Sequence, residues 1–224
     1  GFATGFLYLA ILPSTIQSSV TFVSIARGDV AAAVCSATIS NILGMFVTPF
    51  LVFLMLDING ATGGGLGSVM TKLLAPFLAG QCLQPFVGEW FRARRPLVKK
   101  IDNSSIILIV FSAVLNATAE GAWAGVTAWT IFVLLALCVA LLATMLTLTW
   151  FIPGKLGMSR EDKIVVLMCG SKKSLATGLP MAKALFPPSL VGTVIVPVVV
   201  FHQIQILVCA VIAARLGRHA EKTD

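Results

Sequence analysis

Lys172 and Lys173 stand side by side inside the apolar run Ile164–Phe186, within the stretch VVLMCGSKKSLATGLP. Two ammonium groups there amount to fixed positive charge away from water. With a helical rise of ~1.5 Å per residue, Lys172 falls about 13 Å in from Lys163, near mid-depth of a ~30 Å hydrocarbon core. A lysine at that depth costs about 2.5–3.5 kcal/mol on insertion scales unless it is solvated or paired. Neighbouring helical positions point about 100° apart, so the two ammoniums do not share a partner. The spacing predicts one lysine facing a cavity and the other a helix neighbour or a water path. The alternative is a surface loop, which would leave Ile164–Gly170 too short to span.

Other polar residues collect at matching depths. The first apolar segment, GFATGFLYLAILPSTIQSSVTFVSIA, is interrupted by Pro13, which removes a backbone donor and clashes with the preceding turn. Ser14 and Thr15 follow as caps for a new helix start, and Gln17, Ser18 and Ser19 continue the cluster. Either the helix kinks with its hydroxyls bonded back to the backbone, or it breaks and its freed groups line a site. In the sixth segment Gly170-Ser171 is the interruption, Ser174 closes the lysine pair, and Pro180 comes later. Each interrupted segment precedes a span with an internal proline (Pro49 and Pro197) and polar residues: Ser36, Thr38, Ser40 and Asn41 in one, His202, Gln203 and Gln205 in the other. His202 is either a hydrogen-bonded packing residue or a proton carrier.

Hydrophobic residues make up 58% of the chain and charged ones only 11%, against about 25% charged in a soluble domain. An all-α polytopic membrane protein follows. At about 20 apolar residues per span, the segments are 3–26, 30–56, 69–91, 103–119, 123–152, 164–186 and 189–214. Of 16 basic residues, 12 fall on alternate connections or in the tail: Arg27; Arg92, Arg94, Arg95, Lys99 and Lys100; Lys155, Arg160 and Lys163; Arg215, Arg218 and Lys222. Lys72 and Lys183 fall on the other side. This bias places the basic side, and the C-terminus, in the cytoplasm of a plasma (bacterial inner) membrane. Trp90, Trp123 and Trp150 lie near span ends as interfacial anchors, and Glu120 lies at the surface opposite the basic loops. The five cysteines follow no metal-ligand or paired spacing and are expected as packing residues. The net charge of +7 sits in short inter-span clusters without interleaved aromatics, which argues against a nucleic-acid partner. The interrupted segments are five apart, so they cross the membrane in opposite directions, as in an inverted-repeat transporter with a midplane site between two broken helices.

The stretch LPSTIQSSVTFVSIARGDVAAAVCSATISNILGMFVTPFLVFLML resembles the bile acid:sodium symporter family. CGSKKSLATGLPMAKALFP and VPVVVFHQIQILVCAVIA are similar to its branch around the seventh member of solute carrier family 10 and bacterial relatives. The resemblance covers essentially all 224 residues. It implies ten transmembrane helices in two inverted five-helix repeats, of which this chain supplies helices four to ten, the first three lying outside it. Residues 1–56 would then be core-domain helices of the first repeat, 67–119 panel helices of the second, 123–214 its core-domain helices, and 215–224 a cytoplasmic tail. It further implies that two discontinuous helices cross within a core domain that moves against the panel. In the sodium-coupled branch two sodium ions bind to hydroxyl and amide side chains. Here those positions fall at Ser18 and Ser19, near Ala33 and Ala37 with Ser36 and Thr38 beside them, and near Met168 and Lys172.

This chain departs from that pattern. No Asp or Glu lies mid-span, and a mobile cation beside two lysines is disfavoured. The lysine pair is therefore expected to take the place of sodium as built-in charge. It would hold the unwound segment together and attract an anionic solute, helped by the positive end of a half-helix starting at Ser14. Sodium coupling would be weak or absent, with protons on a lysine or His202 as the other coupling ion. The expected partners are an organic anion and the lipid bilayer; the sequence does not set an oligomeric state. The expected site is Thr15, Gln17, Ser18, Ser19, Ser36, Thr38, Asn41, Ser171, Lys172, Lys173, Ser174, His202 and Gln203. A lipid- or ion-binding sensor that moves no solute is the competing class. An intramembrane enzyme is disfavoured: the sequence has no His/Glu metal cluster, no mid-span carboxylate and no G-x-S-x-G motif.

Overall fold

A computed structural model describes residues 2–56, 65–119, 121 and 126–220. Among them are the helices α1 (Phe2–Ile11), α2 (Gln17–Ile25), α3 (Val30–Leu56), α4 (Gly65–Ala93), α5 (Arg95–Ala119), α6 (Ala128–Lys155), α7 (Arg160–Gly170), α8 (Leu175–Leu185) and α9 (Pro188–Ala220), and no strand. Glu120, Trp123, Lys222, the side chain of Lys72 and most of the glycine-rich connection after Asp57 lie outside the described residues.

The helices follow the seven apolar segments, with the first and sixth each broken in two. α3, α6 and α9 are each long and apolar enough to cross a membrane. An all-helical build is what lipid requires, since a helix satisfies its own backbone groups. The boundaries differ from hydropathy at the charged ends. α4 and α5 run through the basic cluster and meet at the single turn residue Arg94, and α9 continues to Ala220, into the stretch expected as a tail. Arg and Lys are good helix formers, so a helix need not stop where its apolar part does.

Prolines 49, 76, 85, 153, 180 and 197 all lie inside intact helices, whereas Pro13 lies in the break that divides the first apolar segment. The difference lies in what receives the freed backbone, described below. Gly44 of α3 makes room for that break: a Cβ there would meet Pro13 Cβ at 2.6 Å. Gly5 does the same between α1 and α9, where a Cβ would lie 2.6 Å from Val194 O.

Two apolar clusters flank the breaks. One joins Tyr8, Leu9 and Leu12 to Met181, Phe186 and the first half of α9, with Tyr8 and Phe186 edge to face at 5.3 Å. The other joins Phe22, Val23 and Ala26 to Ile164, Leu167, Met168, Cys209 and Ala213. Thus α1 shares a core with α8, α2 shares one with α7, and α9 runs past both. The two interrupted segments lie together as a pair, and the crossing is the region where their breaks meet. At one end of the pair, α2 stops in a left-handed turn at Arg27 (φ 57°), with Gly28 N–H bonding Val23 O at 2.9 Å, the helix-ending motif usually built with glycine. Arg160 ties that end down: Nη2 donates to Leu216 O (2.8 Å) and Ala26 O (3.4 Å).

Candidate functional site

The last carbonyls of a helix lack intrahelical partners, and buried ones are costly to leave bare. The α1–α2 break, Leu12 to Ile16, gives each a partner. Ile11 O accepts from Thr48 Oγ1 at 2.9 Å, and Pro13 O from Ser174 N at 2.8 Å. Ala10 O and Leu12 O both accept from the Lys173 ammonium, at 2.6 and 3.1 Å. The segment is thus broken rather than kinked, with its freed carbonyls held by protein donors.

The α7–α8 break spans Ser171 to Ser174. The carbonyls at the end of α7 take hydroxyls: Leu167 O from Ser171 Oγ (2.5 Å), Met168 O from Ser19 Oγ (3.2 Å) and Cys169 O from Ser14 Oγ (2.5 Å). Ser174 caps α8 by accepting from Thr177 N at 3.1 Å. The lysines point across to the other segment. Lys172, only 1% exposed, donates to Ser18 O at 2.9 Å and sits 3.8 Å over the Phe22 ring, a cation–π contact strengthened by burial. Lys173 is partly exposed. Both lysines lie in the non-helical stretch between α7 and α8, so the 100° offset of helical neighbours does not apply to them. They do not hold their own unwound segment together, as the sequence suggested; each ammonium binds carbonyls of the opposite one.

The continuous helix after each break holds one residue of it by both backbone groups. Ser14 N–H donates to Ser40 Oγ (3.2 Å), and Ser14 O accepts from Asn41 Nδ2 (2.7 Å). Lys173 N–H donates to Gln205 Oε1 (2.9 Å), and Lys173 O accepts from Gln205 Nε2 (2.8 Å). Asn41 Oδ1 also receives Thr177 Oγ1 at 2.9 Å, so one amide joins α2's approach to α8. Tyr8, with its hydroxyl on Gly178 O at 2.7 Å, adds a tie between α1 and α8. A separate hollow of about 290 Å³ opens between α6, α7 and α9; its lining is apolar apart from Thr147, so it offers little to a charged solute.

The model of the SBF-like CPA transporter family matches residues 1–218. This chain belongs to that family. Pseudomonas aeruginosa protein PA2026 is 46% identical over 220 residues, covering 97% of this chain and 66% of its own length. The Escherichia coli K12 protein named "Putative symporter YfeH" is 44% identical over 224 residues, 98% of this chain and 67% of that one. Sodium/bile acid cotransporter 7 of Mus musculus is 22% identical over 215 residues, 93% and 62% respectively. The chain spans about two thirds of the length of these relatives. The family agrees with the resemblance carried by the two broken segments.

Within this SBF-like chain, the crossing brings together Thr15, Ser18, Ser19, Asn41, Ser171, Lys172, Lys173 and Ser174 of the expected site. His202 joins through Gln205, its Nδ1 lying 2.9 Å from Gln205 Nε2. Ser14 and Thr15 do not cap α2, which starts at Gln17 without a side-chain cap. Ser14 is drawn to Cys169 O, and Thr15 Oγ1 bonds Ser18 Oγ at 2.6 Å and Ser19 Oγ at 3.2 Å. Gln17, Ser36, Thr38 and Gln203 are exposed and stand outside the network. On α3 the inward face is Ala33, Ala37, Asn41, Gly44 and Thr48; on α9 it is His202, Gln205, Cys209 and Ala213. Ser36, Thr38 and Gln203 are off those faces. The expected site omits Gln205, which is 0% exposed, and Ser40, Thr177 and Tyr8. Helical spacing from His202, one turn to Gln205 and another to Cys209, is the signal that favours Gln205 over Gln203. Of the cysteines, Cys138, Cys169 and Cys209 are buried, whereas Cys35 and Cys82 are exposed rather than packed.

Proposed function

We propose that this chain forms most of a secondary active transporter for an organic anion, with its site at the crossing and with fixed lysine charge in place of coupling sodium. The observation that carries this reading is the contact of both ammoniums with carbonyls of the opposite broken helix. The sodium position inferred from the resemblance, Ser18 and Ser19, has the Lys172 ammonium on the Ser18 carbonyl at 2.9 Å. Two unit charges 4 Å apart repel by about 4 kcal/mol at an effective dielectric of about 20, so a sodium ion there would compete with Lys172 and lose. Lys173, the more exposed of the pair, offers the positive field that an anionic solute would meet.

In this reading, residues 1–56 and 123–214 supply core-domain helices and 67–119 the panel, moving against each other in alternating access. The basic ends, including the stretch 215–224, face the cytoplasm of a bacterial inner membrane. The names of the relatives, a symporter and a sodium/bile acid cotransporter, support the transporter class and make a bile-acid-type anion the first solute to try. The experiment is uptake of a labelled bile-acid-type anion into proteoliposomes holding the full-length parent protein. Uptake indifferent to a sodium gradient, and lost in the Lys172→Ala, Lys173→Ala double variant, supports the proposal. Sodium-driven uptake contradicts the fixed-charge role, and tight binding of the anion without any movement favours a sensor.

A further inference from the structure

His202 and Gln205 lie one turn apart on α9, facing the α7–α8 break. Gln205 Oε1 accepts from Lys173 N–H and its Nε2 donates to Lys173 O, which fixes which way round the amide lies. An amide nitrogen donates only. The 2.9 Å contact of Gln205 Nε2 with His202 Nδ1 therefore makes Nδ1 the acceptor, with the imidazole proton on Nε2. Both hydrogens of the Gln205 NH₂ group are then in use. A proton added at Nδ1 would set two donors face to face at that distance.

We propose that His202 and Gln205 are positioning residues that act together as a proton-sensitive bracket on Lys173. With Nδ1 unprotonated, the bracket holds the backbone of Lys173, whose ammonium holds Ala10 O and Leu12 O at the end of α1. Protonation of Nδ1 turns the Gln205 amide away, frees the Lys173 N–H, leaves the Lys173 carbonyl to the imidazolium, and loosens the grip of the α7–α8 segment on α1. The proton comes from and returns to water, and no other bond is made or broken. The charged side chain whose field reaches His202 is Lys172, and the ring also lies in hydrogen-bonding reach of the Lys173 backbone. Of the helices packed on α9, α1 brings Tyr8, bonded to Gly178 O, and α6 brings Cys138, against Pro197 O. α8 carries Lys183, bonded to Ser112. α5 is charged only from Arg95 to Asp102, and α2 has no ionisable side chain. The bracket matters for transport only if the crossing is the moving part, so this inference rests on the function proposed above.

The test needs no substrate. Hydrogen exchange, followed by mass spectrometry on the full-length protein in lipid nanodiscs, reads the protection of peptides covering residues 171–176 at neutral and mildly acidic pH. Rates are corrected for the intrinsic pH dependence of exchange. Loss of one net hydrogen bond predicts a fall in protection of about tenfold on acidification. His202→Asn places a non-titrating acceptor where Nδ1 stood, so it should keep protection at both pH values. Gln205→Glu keeps the acceptor for Lys173 N–H but, when ionised, loses both donors, so protection should be low at neutral pH. In histidine-labelled protein, nitrogen NMR should show the His202 Nδ1 signal as unprotonated at neutral pH and absent from His202→Asn. Equal pH dependence in wild type and His202→Asn, or a proton on Nδ1 at neutral pH, would overturn the bracket. Because none of these readouts involves a solute, a failed uptake experiment and a failed bracket are separate results.

Discussion

The two breaks are built to one plan but finished with different chemistry. In each, the next continuous helix grips one residue by N–H and C=O: Ser40 and Asn41 hold Ser14, and Gln205 holds Lys173. In each, some freed carbonyls are received by the other interrupted segment, whereas Ile11 O goes to Thr48 of α3 and Leu167 O to Ser171 beside it. Yet the α7–α8 break gives two ammoniums to α1–α2, whereas α1–α2 returns only the hydroxyls of Ser14 and Ser19. The brackets are alike in form, whereas the charge is uneven between the two breaks. Positive charge near the C-terminal end of α1 also suits the helix dipole, whereas Lys172 lies by the first turn of α2, where the Phe22 ring supplies the offsetting contact.

The largest effect that could break this comparison comes from Lys173. Lys173→Met leaves the buried Leu12 O and the more exposed Ala10 O without a partner, at about 1–3 kcal/mol for a buried group and less for an exposed one, so we expect a loss of about 2–4 kcal/mol. Thermal or denaturant unfolding of the full-length protein in detergent measures it. A smaller loss than that of any single serine variant would mean that the charge is not what holds the crossing.

The equivalence of the brackets comes next. Asn41→Ala removes the partner of Ser14 O and of Thr177 Oγ1, Gln205→Ala removes the partners of both Lys173 backbone groups, and each should destabilise by a similar amount, about 1–3 kcal/mol. A large inequality in unfolding midpoints would show that the breaks are held differently.

How far all this is legible in the sequence depends on the kind of interaction. Spans follow from apolar length, and Pro13 and Gly170-Ser171 flag the breaks as candidates. Six other prolines leave their helices intact, so residue type alone does not mark a break. What a lysine touches is not local: Lys173 reaches carbonyls more than 160 positions away in the chain, and no pattern around it names them. Choosing between Gln203 and Gln205 was within reach of helical spacing, as was preferring Asn41 to Ser36 and Thr38. Both cases turn on which face is inward, and hydropathy alone is blind to that when the outer face meets lipid. The α4–α5 turn at Arg94 was hidden for a related reason, because basic residues extend helices as well as ending spans.

Smaller effects sharpen the uncharged side. Ser14→Ala or Ser19→Ala removes one hydroxyl from an α7 carbonyl and should cost about 1 kcal/mol each by thermal unfolding, less than Lys173→Met. At the bottom of the scale, Gln203→Ala and Ser36→Ala should stay within about 0.5 kcal/mol of the parent. A clear loss of stability at either would place these exposed residues in contacts outside the described network.

The central claim is that lysine charge already occupies the place where a coupling sodium would sit. A ligand that binds only the folded state raises its stability, so the most direct measurement is the Tm of the full-length protein in sodium chloride against choline chloride at equal ionic strength. The account predicts the same Tm in both salts. A sodium-specific rise that saturates with concentration would contradict it.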